Sequence, residues 1–463
     1  MGIYNSFVKH VGYPFWLHRD RQPTALRELA QLRQSQFCSP AELSELKRKR
    51  LVALLEHAFA NCPYYRRMFR DSGWTMKSFQ DFEDLERLPI LTKDILLAHL
   101  EELVAENIPR ELLHRTATGG STGRHTPFYR DNKCLAVKWA SEWRFHQWTG
   151  WDLGEPMGLI WPASQDLNPH PNWKSKLRKA TSDRQAMLYA ASLSEESMSG
   201  FAKTLQRRRI KYLKGFTNAI CVFARFCEGR YTFSHLRSVI CTGEALLPTQ
   251  RDLIETALGA KVYNYYCSRE IGPIGHQCER RGGLHINEEI LHLEIKPDSP
   301  ASADGSGDLL ITDLANFGMP FIRYRIGDRT RLLGSDCACG RRSRQLEQVI
   351  GRATDFVIST RGELVHGASL VHYVLALGFD IGQVQFVQRA PGHLVVRLTP
   401  VARERGEAWS KLEQTVRRLL GDEIQLEREF VPEIRPEQSG KHRVVVSEIS
   451  PRESGFAIAG VEG

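Results

Sequence analysis

The amino-acid sequence predicts an α/β protein in two parts: a large domain over residues 1–350, mainly helical through residue 110, and a small α+β domain over residues 351–463. Three observations carry this expectation. At 463 residues the chain is longer than the roughly 250–300 at which one hydrophobic core stops growing. From about residue 115 to 350, short β-rich runs alternate with helical ones, the pattern of βαβ units around a parallel sheet. After Gly351 the pattern changes to a hairpin followed by further helical and strand runs.

In chain order, the clearest early element is a helix announced by Ser39-Pro40-Ala41-Glu42, a capping box with proline at the first helical position. Leu43, Leu46, Leu54, Leu55 and Ala58 recur at helical spacing behind it, and Asn61-Cys62-Pro63 ends it because proline cannot continue the hydrogen-bond ladder. Ser238 to Thr242 reads as a strand, Pro248 to Leu258 as a helix closed by Gly259, and Lys261 to Tyr266 as the next strand. In parallel sheets ligands bind beyond the carboxyl ends of the strands, which draws attention to Gly243, Glu244 and the residues after Tyr265. In the small domain Phe356–Thr360 and Glu363–Val365 read as a hairpin around Gly362, and strand patterns end near Phe430.

Composition excludes several classes. With 42% hydrophobic and 25% charged residues the chain is an ordinary globular protein, with no low-complexity tract. The net charge of +9 is spread among 54 acidic residues, and the densest basic cluster, Lys47 to Arg50, reads as the solvated face of a helix; nucleic acid is not an expected partner. No run is long and apolar enough for a membrane span, and residues from Met1 onward lack a signal-peptide pattern, so a cytoplasmic protein is expected. The aromatic and basic segment Phe7–Arg19 reads as an arm packed on the main domain, with contact to a membrane surface as its alternative. Ten cysteines in such a chain imply reduced thiols, with a close pair at Cys337 and Cys339.

The run Thr118-Gly119-Gly120-Ser121-Thr122-Gly123 packs three glycines and three hydroxyls into six residues, so backbone amides can approach a polyphosphate while hydroxyls donate to its oxygens. Four further segments follow in order: Tyr266-Cys267-Ser268-Arg269-Glu270 after one strand, Tyr324-Arg325-Ile326-Gly327-Asp328 at the end of another, Gly351-Arg352-Ala353-Thr354-Asp355 at the domain boundary, and Ser439-Gly440-Lys441-His442-Arg443 near the C-terminus. Each is weak alone; five in this order are specific.

On these segments the sequence resembles the adenylate-forming superfamily, and within it the phenylacetate-CoA ligase and capsular-polysaccharide (CapK-like) subgroup. The closer likeness rests on His57-Ala58 and Pro63-Tyr64-Tyr65, Leu88-Pro89 with Leu91-Thr92-Lys93, Lys214-Gly215-Phe216 and Thr242-Gly243-Glu244. The resemblance implies a large adenylate-forming domain with a mobile C-terminal lid, and an acid-thiol ligase that joins a carboxylic acid to AMP and passes the acyl group to CoA. An amine, a hydroxyl or a carrier protein could replace CoA; an AMP transferase and an inactive zinc-stabilised scaffold are the remaining alternatives, and a homodimer is compatible with all of them.

It also implies residue roles. Thr118 to Gly123 would hold the β- and γ-phosphates of ATP, with Gly243 and Glu244 in the nucleotide-binding set. Tyr266 would stack on adenine, Glu270 would bind Mg²⁺, and Asp328 would take the ribose hydroxyls with help from Arg352. Lys441 would be the mobile catalytic lysine, and Asp355 the hinge. Phe216, Thr217, Asn218 and Trp161 are candidates for the acyl pocket. Cys278, His285, Cys337 and Cys339 form a Cys₃His set suited to structural Zn²⁺, as in members of the subgroup, with His276 as a rival ligand. Three departures from the usual pattern stand out: Cys267 in place of glycine, a longer step from Gly123 to Pro127, and Ile326 where threonine is common.

Overall fold

The computed structural model describes residues 3–76, 79–118, 126–161, 173–178, 181–182, 184–190, 193–297, 305–334, 336–347, 349, 351–352, 356–360, 364–366, 370, 384–399, 406–434 and 445–449. The N-terminal hundred residues are helical as expected. Ser39 caps the helix Pro40–Asn61 through a reciprocal bond with Glu42, and Pro63 both stops that helix and opens the next, Pro63–Asp71. Leu51, Leu54, Leu55 and Ala58 are fully buried against Tyr65, Phe69 and a second sheet carrying Ile311 and Tyr324. Each large apolar side chain so buried stabilises the fold by about 1.5–3 kcal/mol before entropy is counted.

The same helix corrects one expectation. Lys47 and Arg50 do not face solvent: Lys47 Nζ lies 3.2 Å from Glu288 Oε1 and over the Phe82 ring, and Arg50 donates to the Glu289 carbonyl at 2.8 Å. Lys47 stands four residues from both Leu43 and Leu51, on the buried stripe, whereas Arg48 and Lys49 remain outside with Glu45. Arg144 and Glu289, both almost fully buried, form a second ion pair of this kind, with Arg144 also donating to Asn287 Oδ1 at 2.7 Å.

The central sheet has nine strands. Gln185–Tyr189, Met157–Trp161, Tyr212–Phe216, Ser238–Thr242 and Lys261–Ser268 lie side by side in parallel. The helix Pro248–Leu258 between the last two ends at Gly259, whose φ of 66° suits glycine. The expected parallel sheet is therefore half of a mixed one. Lys261–Ser268 connects to Gly272–Gln277 through residues 269–271 alone, too short for a crossover, so the sheet turns antiparallel there and continues through Leu284–Ile286, Gln345–Leu346 and Leu332–Leu333. Alternation along the strands loads the two faces differently. Leu213, Val239 and Val262 meet the helices Glu195–Arg207, Thr217–Cys227 and Pro248–Leu258, while Tyr212, Ile240 and Tyr265 meet Phe145 and Trp148 of the helix Asn132–Trp148.

A four-stranded antiparallel sheet follows: Leu291–Lys296, Gly307–Asp313, Tyr324–Thr330 and Gly351–Arg352. Tyr324–Asp328 opens its strand rather than ending it, since pairing with Gly307–Asp313 runs on to Thr330. The described residues between 356 and 447 build separate sheets with their own core of Val357, Phe386, Leu394, Leu412, Val416 and Val445. Phe356–Ile358 pairs with Leu364–His366, and a strand beyond Phe430, Val445–Ser447, adds in parallel to Val384–Ala390. Among the described residues no helix is long and apolar enough to cross a membrane.

Candidate active site

Described parts of four motif segments lie close together: the foot of the glycine-rich run at Ala117 and Thr118, the segment Tyr266–Glu270, Asp328 and Arg352. The hairpin turn at residues 269–271 carries Glu270, and it is held from two sides. Arg130, on the strand Thr126–Asp131, donates to the backbone carbonyls of Arg269 and of Glu270, the latter at 3.1 Å. Arg269 in turn donates to the Ala117 carbonyl at 3.3 Å. Ala117 precedes Thr118, the last residue of the strand Leu113–Thr118, which pairs with Thr126 at the far end of the glycine-rich connection. The foot of that connection and the Glu270 turn are thus stitched together by two arginines, Arg269 from within the Tyr266–Glu270 segment and Arg130 from outside all of them.

Tyr266 and Asp328, sixty-two residues apart, are in direct contact: the phenol hydroxyl donates to Asp328 Oδ2 at 2.6 Å, and both residues are half-buried. Arg352 stands opposite Asp328 in the antiparallel ladder. Gly119 to Gly123, Asp355 and Lys441 lie outside the described residues, and Thr118 and Arg352 are placed by their strand positions.

Gly243 and Glu244 follow the strand Ser238–Thr242 into this region. Gly243 has φ of 79°, and a β-carbon there would come within 2.6 Å of the Phe216 ring, so glycine is required on both counts. The Glu244 carboxylate accepts from the Asn218 N–H at 2.8 Å and its carbonyl accepts from the Thr217 hydroxyl, which puts a negative group on the start of the helix Thr217–Cys227. Asn218 is also engaged, its side-chain oxygen accepting from Gln250 at 2.8 Å.

Beside these lies an aromatic wall. Trp161 and Phe216 meet edge to face at 5.1 Å, and the Lys214 ammonium sits over the rings of Tyr265 and Trp161. Lys214 is buried and paired with Glu142; neighbouring His146 is held well below the usual imidazole range by its burial and by Lys214. Cys267 contacts the Thr242 hydroxyl at 3.3 Å through its sulfur.

The Cys₃His set also comes together. One donor atom from each of Cys278, His285, Cys337 and Cys339 falls within 4.8 Å of all the others. Cys278 and Cys337 sulfurs are 3.6 Å apart, and Cys339 Sγ is 3.3 Å from His285 Nε2. His285 Nδ1 faces the Ser343 hydroxyl and carbonyl at 3.2 and 3.3 Å, which leaves Nε2 for the centre. Burial pushes His285 down to about 4, the neutral ligand form, and pushes the Cys278 thiol up to about 12. Burial acts on Cys339 in the same upward sense, but the Arg341 N–H, 3.4 Å from its sulfur, and the neighbouring thiols bring it below the usual value. Three sulfurs and an imidazole at this spacing suit a tetrahedral, sulfur-preferring divalent cation. His276 is not part of the set; its Nδ1 is 2.6 Å from the Gln277 carbonyl. The Cys337–Cys339 loop is seated by Arg341, which stacks on Trp148 and pairs with Glu279.

With this geometry in hand, comparison with known proteins is informative. Residues 357–448 match the family described as the CapK C-terminal domain. Protein CapK of Staphylococcus aureus is 24% identical over 415 residues, covering 88% of this chain and 90% of its own. The phenylacetate-coenzyme A ligase of Thermus thermophilus is 28% identical over 386 residues, covering 76% and 80%. Among solved structures, a 2-hydroxyisobutyryl-CoA ligase in its postadenylation state superposes with a TM-score of 0.69 at 20% identity, covering 89% of this chain and 90% of that one, a likeness of fold.

Proposed function

The chain belongs with the adenylate-forming enzymes of the phenylacetate-CoA ligase and CapK-like group, and from that premise we propose that it is an AMP-forming acid-thiol ligase. A carboxylate resists nucleophiles because its charge is delocalised and oxide is a poor leaving group. In the first half-reaction a carboxylate oxygen attacks the α-phosphorus of ATP, the bond to the bridging oxygen breaks, and acyl-AMP and pyrophosphate result. In the second, the thiol of CoA attacks the acyl carbon, AMP leaves with the former carboxylate oxygen, and the thiol proton is released.

The observation that carries this reading is the meeting of Tyr266 with Asp328 beside the Glu270 turn and the foot of the glycine-rich connection. We assign Thr118 to Gly123 to the β- and γ-phosphates, the Tyr266 ring to adenine, and Asp328, with Arg352 across the ladder, to the ribose hydroxyls. Glu270 would hold Mg²⁺, a hard cation that takes one carboxylate plus phosphate oxygens and neutralises charge there. Lys441 meets the negative charge that builds between carboxylate and α-phosphate, a role for a cation on a flexible stem. Gly243 gives Phe216 room, and Glu244 holds the helix behind it. The Trp161 and Phe216 rings favour an aromatic acid.

We further propose that Cys278, His285, Cys337 and Cys339 bind Zn²⁺ in a structural role, that residues 351–463 form the lid with its hinge at Asp355, and that the enzyme works in the cytoplasm, where its ten free cysteines stay reduced. Exchange of labelled pyrophosphate into ATP, screened over a panel of carboxylic acids, tests the reaction. Acid-dependent exchange, with acyl-CoA on adding CoA, supports it; folded, magnesium-supplied protein with no exchange for any acid would overturn it.

A further inference from the structure

The N-terminal arm has an outer face that the main domain does not use. Ile3–Phe7, Val8–Gly12 and Tyr13–Arg19 form one continuous helical run, with helical backbone angles at both joints and a π turn in the middle. Its inner side does what an arm is expected to do. Val8, Trp16 and Leu17 are buried, Lys9 pairs with Asp152 at 2.5 Å, and the Trp16 indole donates to the Thr181 hydroxyl at 2.8 Å.

Its outer side should then be polar, as on any surface helix. Instead Ile3, Phe7, Val11 and Phe15 follow one another at four-residue steps, each more than two-fifths exposed, Ile3 at 93% and Phe15 at 58%. A second helix, Trp173–Arg178, adjoins the arm through Arg178 and also exposes apolar side chains: Trp173 is 69% exposed, and Leu177 is exposed one turn later. The two helices are fastened together, since Arg178 pairs with Asp20 at 2.7 Å and lies over the Trp16 ring. Six large apolar side chains on two adjoining segments exceed the scattered exposed residues normal for a soluble surface.

Charge decides what would cover them. Residues 3–19 and 173–178 contain no acidic residue; of their lysines and arginines, Lys9 and Arg178 are paired with Asp152 and Asp20, and the others are Arg19, Lys174 and Lys176. Arg184 adds a further cation, its guanidinium 4.6 Å over the Tyr4 ring at the outer end. Among the described residues, Asp152 and Asp20 are paired with Lys9 and Arg178, and Glu155, which acts on Arg184, is paired with Lys211. Aromatic and aliphatic side chains on the outer side with cations alongside is the arrangement of a helix lying in the headgroup layer of a membrane. A second copy would bring the same positive field and fits less well.

We propose that this face, formed by Ile3–Arg19 and Trp173–Arg178, docks the protein peripherally on an anionic lipid bilayer, with Phe7, Phe15 and Trp173 inserted at the headgroup boundary. The acid-activating site is a separate region, so the chemistry would proceed at the membrane surface without any spanning segment.

Sedimentation of the full-length protein with vesicles tests this, using phosphatidylcholine alone against phosphatidylcholine containing phosphatidylglycerol. The protein should pellet with the anionic vesicles, less so as salt is raised, and not with neutral ones. Phe7→Ser with Phe15→Ser, both on exposed positions, should lower the apparent partition coefficient by more than about tenfold while leaving the far-ultraviolet spectrum and pyrophosphate exchange unchanged. Trp173→Ser should act in the same direction from the other helix. Failure to pellet with anionic vesicles, or equal pelleting of wild type and variants, overturns the proposal. So does a concentration-dependent dimer abolished by these substitutions in protein that ignores vesicles, which would assign the face to a second copy.

Discussion

Removing one hydroxyl, by Tyr266→Phe, separates the nucleotide-binding role of the Tyr266–Asp328 pair from a structural one. The substitution keeps the ring that would stack on adenine and deletes only the hydrogen bond to Asp328, which at 2.6 Å is short. Bonds to a carboxylate are worth about 1.5–3 kcal/mol, and because both residues are half-buried the lower end applies, about 1.5 kcal/mol. If that bond holds Asp328 in place for the ribose, the loss appears as roughly a tenfold fall in kcat/KM for ATP. Initial rates of pyrophosphate exchange, with ATP varied at saturating acid and then the reverse, would resolve it. The fall should lie in KM for ATP, with KM for the acid unchanged. Asp328→Asn alone, and combined with Tyr266→Phe, should be less than additive, as expected for a directly coupled pair. An unchanged KM for ATP, together with a lowered melting temperature, would mean that the pair only braces the two sheets.

Three other outcomes are expected. Purified protein should carry about one zinc per chain by elemental analysis, and Cys339→Ser should lose it with a drop in melting temperature on the order of 10 °C, because metal binding is folding free energy; retention of zinc by that variant would contradict the ligand assignment. His292 is buried against Phe82 with no hydrogen-bond partner at either ring nitrogen among the described residues, and burial, aided by Lys47, pushes it down to about 3. Unfolded histidine titrates near 6.5, so between those values the unfolded chain binds a proton that the fold does not. Stability present above pH 6.5 should therefore fall as pH drops toward 3, and His292→Phe should flatten that fall in urea melts taken across the range; an identical pH slope would refute the burial argument. Lys441→Ala should slow pyrophosphate exchange by about 100-fold or more while sparing CoA transfer from preformed adenylate, and equal loss in both halves would reject its assignment.

Much of the fold could be read from local sequence chemistry. The capping box at Ser39, the strand Ser238–Thr242 and the helix Pro248–Leu258 with its Gly259 stop appear where caps, β-branched runs and glycine put them. What could not be read was set by partners distant in the chain. The switch to antiparallel pairing at Gly272 depends on a turn whose shortness shows only once the next strand is placed. Lys47 looked solvated because its neighbours are, and only the leucines four residues either side betrayed that it points inward to Glu288.

The site divides the same way. Cys278, His285, Cys337 and Cys339 could be grouped by residue type, and their donor atoms do come within reach of one another. Arg130, which braces the Glu270 turn, belongs to no motif, and the bracing role of Arg269 within its motif was equally hidden, because the groups both bind are backbone carbonyls and any residue supplies those. Glu244 entered the nucleotide-binding set with the Thr242-Gly243-Glu244 likeness, and its hydrogen bonds to Thr217 and Asn218 were not legible because those partners lie 27 and 26 residues away in the chain.

The central claim is that a carboxylate oxygen becomes bonded to the α-phosphorus of ATP, and isotope transfer tests it most directly. With an accepted acid labelled with oxygen-18 in its carboxylate, plus ATP and CoA, one labelled oxygen should appear in each AMP released by mass spectrometry. Label appearing in inorganic phosphate with ADP as the nucleotide product, or unlabelled AMP formed alongside acyl-CoA, would contradict activation through an acyl-adenylate.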